Sequence, residues 1–225
     1  MKRQKVHDYE MLTRVADFGA RHVGLFPEFT AAPEIVEALG SAVTKLSQQA
    51  SAEIVGDAAI RTSKKARKAA REALRTQIEL MDQTARALNV EKFQAPRKRT
   101  DQALISAGHA FAVEAEPLKN NFVEHGLKLD DLNAAVQNLE SAIRAYAEGK
   151  AIRSGAIREF DKTLEEAEGY LQRLDVLVAN TLQGNAAVMA SWELARRVER
   201  AGSRKRNSPH PEPQPQPPPV TPASS

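Results

Sequence analysis

Apolar residues at heptad spacing run almost the whole length of this chain, and nothing in the sequence alternates at the period of two that a strand requires. A chain patterned this way can bury its apolar stripe only against other helices, so an all-α architecture follows. Tyr9, Leu12, Ala16, Gly19, Val23 and Phe26 mark a first helix over about residues 5–25. Pro27 ends it, and Pro33 suits the first turn of the next. Two seams follow, Val36-Leu39-Val43-Leu46-Ala50 and Ala70-Leu74-Ile78-Met81-Ala85-Leu88. Between them Gly56 and Thr62-Ser63 weaken the pattern, which predicts a kink or short break between residues 56 and 63.

Residues 94–99 read as a loop, and Thr100 or Asp101 caps a helix through Leu104, Gly108, Phe111, Ala115, Leu118 and Phe122. Pro117 removes a backbone donor inside that pattern and predicts a bend; His125-Gly126 closes the helix as a glycine cap. Asp130-Asp131 opens a fourth helix that Gly149 closes, and a fifth runs over about 152–183. After Gly184-Asn185 a last helix covers 186 to about 201 and carries Trp192, the single tryptophan. Many seam positions are Ala or Gly, which lets helices approach closely. The expectation is an elongated up-and-down bundle of five or six helices, coiled-coil in character, over residues 1–202.

Residues 203–225 differ in kind. Eight of the chain's 12 prolines fall between Pro209 and Pro222, a composition that predicts a disordered, polyproline-like, basic tail. Its Pro215-Gln216-Pro217-Pro218 stretch has P-x-x-P spacing, which any proline-dense segment produces.

Charge bears on partners. The pI is about 9.2 and the net charge +3, but Arg204, Lys205 and Arg206 against Glu212 put +2 of that in the tail. A nearly neutral body exerts little global pull on phosphate. Its positive charge is local: Lys64, Lys68, Arg71 and Arg75 fall within roughly 60° of one another on a helical wheel. Like charges so placed repel by a few tenths of a kcal/mol per pair unless something anionic compensates. One reading is a contact for an anionic partner. The other is neutralisation by Lys68–Glu72 and Arg75–Glu79 pairs and by acids of a neighbouring helix. No aromatic interleaves with the stripe, which argues against base stacking, and no recognition-helix signature accompanies it.

Motifs that carry catalysis are absent: no Gly-rich phosphate cradle, no nucleophile elbow, and no Glu-x-x-His of the di-iron bundles. The sequence holds no cysteine, so thiolate chemistry and disulfides are excluded. His22 and His109 near helical seams read as ordinary helix histidines, and Glu165, Glu166 and Glu168 as a solvated surface, since neighbouring helical positions diverge by about 100°. Trp192 reads as the packing anchor of the last helix. Neither a secretory h-region nor a membrane-spanning run is present, so a cytoplasmic protein is expected. No catalytic residue, metal ligand or cofactor is assigned.

Asp8-Tyr9-Glu10-Met11-Leu12, Asp17-Phe18-Gly19-Ala20, Thr84-Ala85-Arg86-Ala87-Leu88, Asp101-Gln102-Ala103-Leu104, Arg173-Leu174-Asp175 and Trp192 through Arg200 together resemble a family of uncharacterised bacterial helical proteins of about 200 residues. The resemblance spans most of the body and stops before the tail. It implies an all-helical bacterial protein and supplies no activity. The functional expectation is a non-enzymatic interaction or scaffolding protein with a protein partner, self-association being left open. The alternative is electrostatic, non-sequence-specific nucleic-acid binding through residues 61–75.

Overall fold

The computed structural model describes residues 3–97 and 100–198, and every described element is helical. Helix α1 spans Arg3–His22 and α2 Ala32–Ala87; α3 spans Asp101–Ala115, α4 Lys119–Glu124, α5 Leu129–Thr181 and α6 Ala186–Arg196. Single 3-10 turns follow α1 (Val23–Leu25) and join α3 to α4 (Glu116–Leu118). The chain is thus an elongated all-α bundle whose frame is two very long helices. At 1.5 Å per residue, the 56 residues of α2 and the 53 of α5 extend about 84 and 80 Å. The tail expected over 203–225, and the last turns expected beyond Val198, lie outside the described residues.

Two expected interruptions do not occur. No break falls between residues 56 and 63, and Gly149 does not separate a fourth helix from a fifth. Both glycines serve close approach instead. A Cβ on Gly56 would stand 2.8 Å from the backbone nitrogen of Arg153, and one on Gly149 would stand 3.1 Å from that of Ile60. The two helices therefore run antiparallel with their backbones nearly in contact.

Along that contact run two rows of mostly small side chains at seven-residue spacing: Ala42, Gln49, Gly56, Ser63 and Ala70 on α2, and Ala135, Ala142, Gly149, Ala156 and Thr163 on α5. Sustained seven-residue spacing keeps one seam facing the partner along a supercoiled pair. Gln49 Nε2 donates to Thr163 Oγ1 at 3.0 Å, leaving Gln49 Oε1 buried without a partner, and Ser63 Oγ donates back to the Ala59 carbonyl at 2.7 Å.

Short helices pack at the two ends of this frame. At one end α1 and α6 join the start of α2 and the end of α5 around Leu12, Phe18, Leu39, Leu46, Leu174 and Trp192. At the other, α3 and α4 join the end of α2 and the start of α5 around Leu74, Ile78, Phe111, Phe122 and Leu139. Phe93, from the loop after α2, stands edge-on to Phe111 and Phe122 with centroids 5.2 and 5.4 Å away. Each fully buried Leu or Phe contributes roughly 1.5–3 kcal/mol.

The helix ends follow local chemistry. Thr100 Oγ1 accepts from the Ala103 N–H, and Asn185 Oδ1 from the Val188 N–H. Gly126, at φ +80°, reverses the chain after α4 while Leu127 N–H bonds back to the Phe122 carbonyl. Pro117 does more than bend its helix: α3 stops before it and α4 starts after it.

These contacts separate two kinds of glycine. Gly56→Ala destabilises the protein by about 1–3 kcal/mol, because its Cβ meets backbone that cannot rotate away. Gly155→Ala, on the same pair of helices but facing open space, stabilises by about 0.5–1 kcal/mol. Thermal unfolding of the two variants moves Tm in opposite directions.

Candidate interaction surface

Neither core reaches the middle of the long pair. The innermost α2 residues packed on the two cores are Ala50 and Ala70, and on α5 Ile143 and Phe160. Between them lies a waist of α2 and α5 in which α2 buries just Glu53, Gly56 and Ser63, and Arg67 reaches Asp101 of α3. Lys64 and Lys68 of the basic stripe lie here, and Arg71 and Arg75 just beyond it.

The structure divides the stripe in two. Asp101, at the first position of α3 and 8% exposed, receives Arg71 together with Arg67, whose Nε is 2.5 Å from Oδ2. Arg75 Nε meets Glu79 at 2.8 Å, and its other nitrogen stands 3.7 Å from Glu72. The hydrogen bond to Glu79 raises the Arg75 pKa further above its already high value. Neutralisation by a neighbouring helix and the Arg75–Glu79 pair thus both occur. The expected Lys68–Glu72 pair does not, because Glu72 turns toward Arg75. Lys64 and Lys68 stay exposed, with no ion pair among the described residues.

The other long helix adds cations that sequence reasoning missed. Lys150 Nζ and Arg67 Cζ lie 5.8 and 5.5 Å from the centroid of the half-buried Tyr146 ring. Arg153 Nε bonds Asp57 Oδ1 at 2.7 Å across the waist. The opposite flank of α2 is free of charge: Ala52, Val55, Ala59, Thr62, Ala66 and Ala73 follow one another there, exposed or half-buried. Val55 is 60% exposed, and Ile54 and Ile152 nearby are 68% and 40% exposed.

The remaining candidates lie apart from the waist. Trp192 is buried against Phe18, ring centroids 5.0 Å apart, and thereby ties α6 to α1. His22 stacks on the same Phe18 at 4.5 Å, whereas His109 Nε2 is 3.1 Å from Glu140 at the opposite end of the molecule, so the two imidazoles share no site. Glu165, Glu166 and Glu168 are exposed; burial, then Asp8 and Glu165, raise the Glu168 pKa. Among the described residues no group of three metal-ligating side chains forms, and no helix is long and apolar enough to cross a membrane.

No protein-family model matches the chain, and neither a curated protein nor a solved structure matches it.

Two carboxylates give tests of this geometry. Asp101→Asn leaves Arg67 and Arg71 without their shared acid; since both guanidinium groups are about one-third exposed, the loss is about 1–2 kcal/mol in urea unfolding and shrinks at high salt. Burial raises the Asp175 carboxyl above its usual value of 3.8, against the pull of Arg196 and a hydrogen bond from Trp192. A raised carboxylate contributes stability that is complete below the unfolded-state pKa and is lost as pH rises through the folded-state pKa. Asp175→Asn flattens that portion of the stability–pH profile, read by urea titrations from acid to neutral pH.

Proposed function

We propose that this chain is a non-enzymatic interaction or scaffolding protein that presents the uncovered faces of its long helices to a protein partner. The observation that supports this most directly is the waist: over about 26–30 Å, taking 1.5 Å per residue, two helices stand without a third layer. One flank offers an uncharged α2 face with exposed Val55, beside Ile152 of α5, and the other offers unpaired lysines. The cysteine-free composition and the missing catalytic motifs accord with a cytoplasmic protein without turnover.

Electrostatic nucleic-acid binding is the second reading. Arg61, Lys64, Lys65 and Lys68 are all exposed on α2 and support it. Pairing of Arg71 and Arg75 with acids weakens it, since fewer cations remain to displace counterions.

Affinity purification of the full chain from its host, with and without nuclease, separates the two. Interaction predicts a discrete protein that survives nuclease and is lost from a Val55→Glu/Ile152→Glu or a Lys64→Glu/Lys150→Glu variant. Recovery of nucleic acid alone, abolished by the lysine variant, transfers the function to the second reading. Retention of nothing above background overturns both.

A further inference from the structure

The groove between α2 and α5 that α1 and α3 occupy is a single groove. On α2 the row facing it reads Val36, Val43, Ala50, Asp57, Lys64, Arg71, Ile78, Ala85; on α5 it reads Leu129, Val136, Ile143, Lys150, Ile157, Leu164, Leu171, Val178. Gly19 of α1 rests on Val36 at one end, and Gly108 of α3 on Val136 and Leu74 at the other. α1 reaches inward as far as the Lys5–Asp161 ion pair, and α3 as far as Asp101 on Arg67 and Arg71. Both helices run outward from the gap, so the positive end of each helix dipole is directed toward it. The seventeen residue steps from Ile143 to Phe160 leave a slot of about 26 Å, one helix wide.

The slot carries uncompensated charge of one sign. Its acids are taken: Asp57 by Arg153, Asp161 by Lys5, and the buried Asp101 by Arg67 and Arg71, while Glu53 is buried at 6% exposure. Lys64, Lys68 and Lys150 are exposed and make no ion pair among the described residues. Between these lysines the floor is apolar, with half-buried Ile60 and Ile157. The Tyr146 ring is flanked by Arg67 and Lys150, which occupy the surface on which a base would stack. The tail beyond Ser203 has net positive charge, the wrong sign to lie here.

We infer that this slot receives an acidic amphipathic helix of a partner protein, which continues the third layer between α1 and α3. Its apolar stripe covers Ile60 and Ile157, and its carboxylates face Lys64, Lys68 and Lys150. A nucleic-acid strand fits less well, since a phosphate backbone gains nothing from an isoleucine floor. The inference rests on the interaction reading above and adds the partner's chemistry to it.

Fluorescence anisotropy on the full chain tests it with a labelled, side-chain-stapled helical peptide of about seventeen residues, leucine at i, i+3, i+4 and i+7 positions and glutamate elsewhere. The expected result is saturable binding that weakens about tenfold or more for Lys64→Glu/Lys150→Glu and for a peptide of the same composition with its leucines scrambled. Val55→Glu on the other flank leaves it unchanged. Lys64 and Lys150 are exposed, so circular dichroism of that variant should match the parent and keep the comparison valid. Absent binding, equal binding of the scrambled peptide, or indifference to the lysine reversal overturns the inference. So does preferential, steeply salt-dependent binding of a labelled single-stranded or duplex DNA oligonucleotide. A host protein captured through Val55 and Ile152 while the peptide fails to bind would leave the interaction reading standing and remove this inference alone.

Discussion

The close approach of α2 and α5 is the contact on which everything else depends. Helices that pack through leucines sit 8–10 Å apart, and both backbones could not come nearer without small residues at the seam. Gly56 against Arg153 and Gly149 against Ile60 supply that proximity at the centre, with Ser63 and Ala156 continuing it on either side. Such packing buries little apolar area per residue. It gains many short dispersion contacts instead and keeps two helices of over 50 residues in one register. Without it the middle of the molecule would have no tertiary support, because neither core extends there.

Holding the middle by backbone proximity frees its surface chemistry. At both ends the outward rows must be apolar, since Val36 and Val43 or Ile78 and Ala85 meet a third helix. At the waist no third helix covers them, and charge there costs no desolvation. Asp57, Lys64 and Lys150 occupy those positions; the α2 row stays charged at Arg71, which meets Asp101 of α3, and is apolar again from Ile78. The one buried acid at this boundary, Asp101, is held by two guanidinium groups, which offsets what its burial costs. It also ends the third layer, because α3 starts where Asp101 can reach Arg67 and Arg71. The electrostatics of the waist and the position of α3 are one feature of the structure.

Much of this was legible in the chain. Period and composition determined the all-helical class, and Thr100, Asn185 and Gly126 marked their boundaries by chemistry confined to a few neighbouring residues, whereas Pro117 read only as a bend. Trp192 was recognisable as a large side chain in an apolar stripe, and the basic wheel position of Lys64, Lys68, Arg71 and Arg75 needed only helical geometry. Gly56 and Gly149 were misread because a mid-helix glycine carries the same local signature whether it breaks a helix or admits another backbone. That one ambiguity divided α5 in two and put a kink or short break into α2.

With the long helices read this way, the rows through Asp57, Lys64 and Lys150 had no continuous phase and could not be followed across the interruption. Sequence alone determined that these residues form helices, which faces are apolar and where cations gather, since each follows from period and local chemistry. Tertiary structure decided which cations keep their charge free. Arg71 loses it to an acid thirty positions away and Lys64 does not, while Lys150 joins from the other long helix. Ion pairing depends on distance in space, and distance in space between separate helices is what a one-dimensional pattern does not contain.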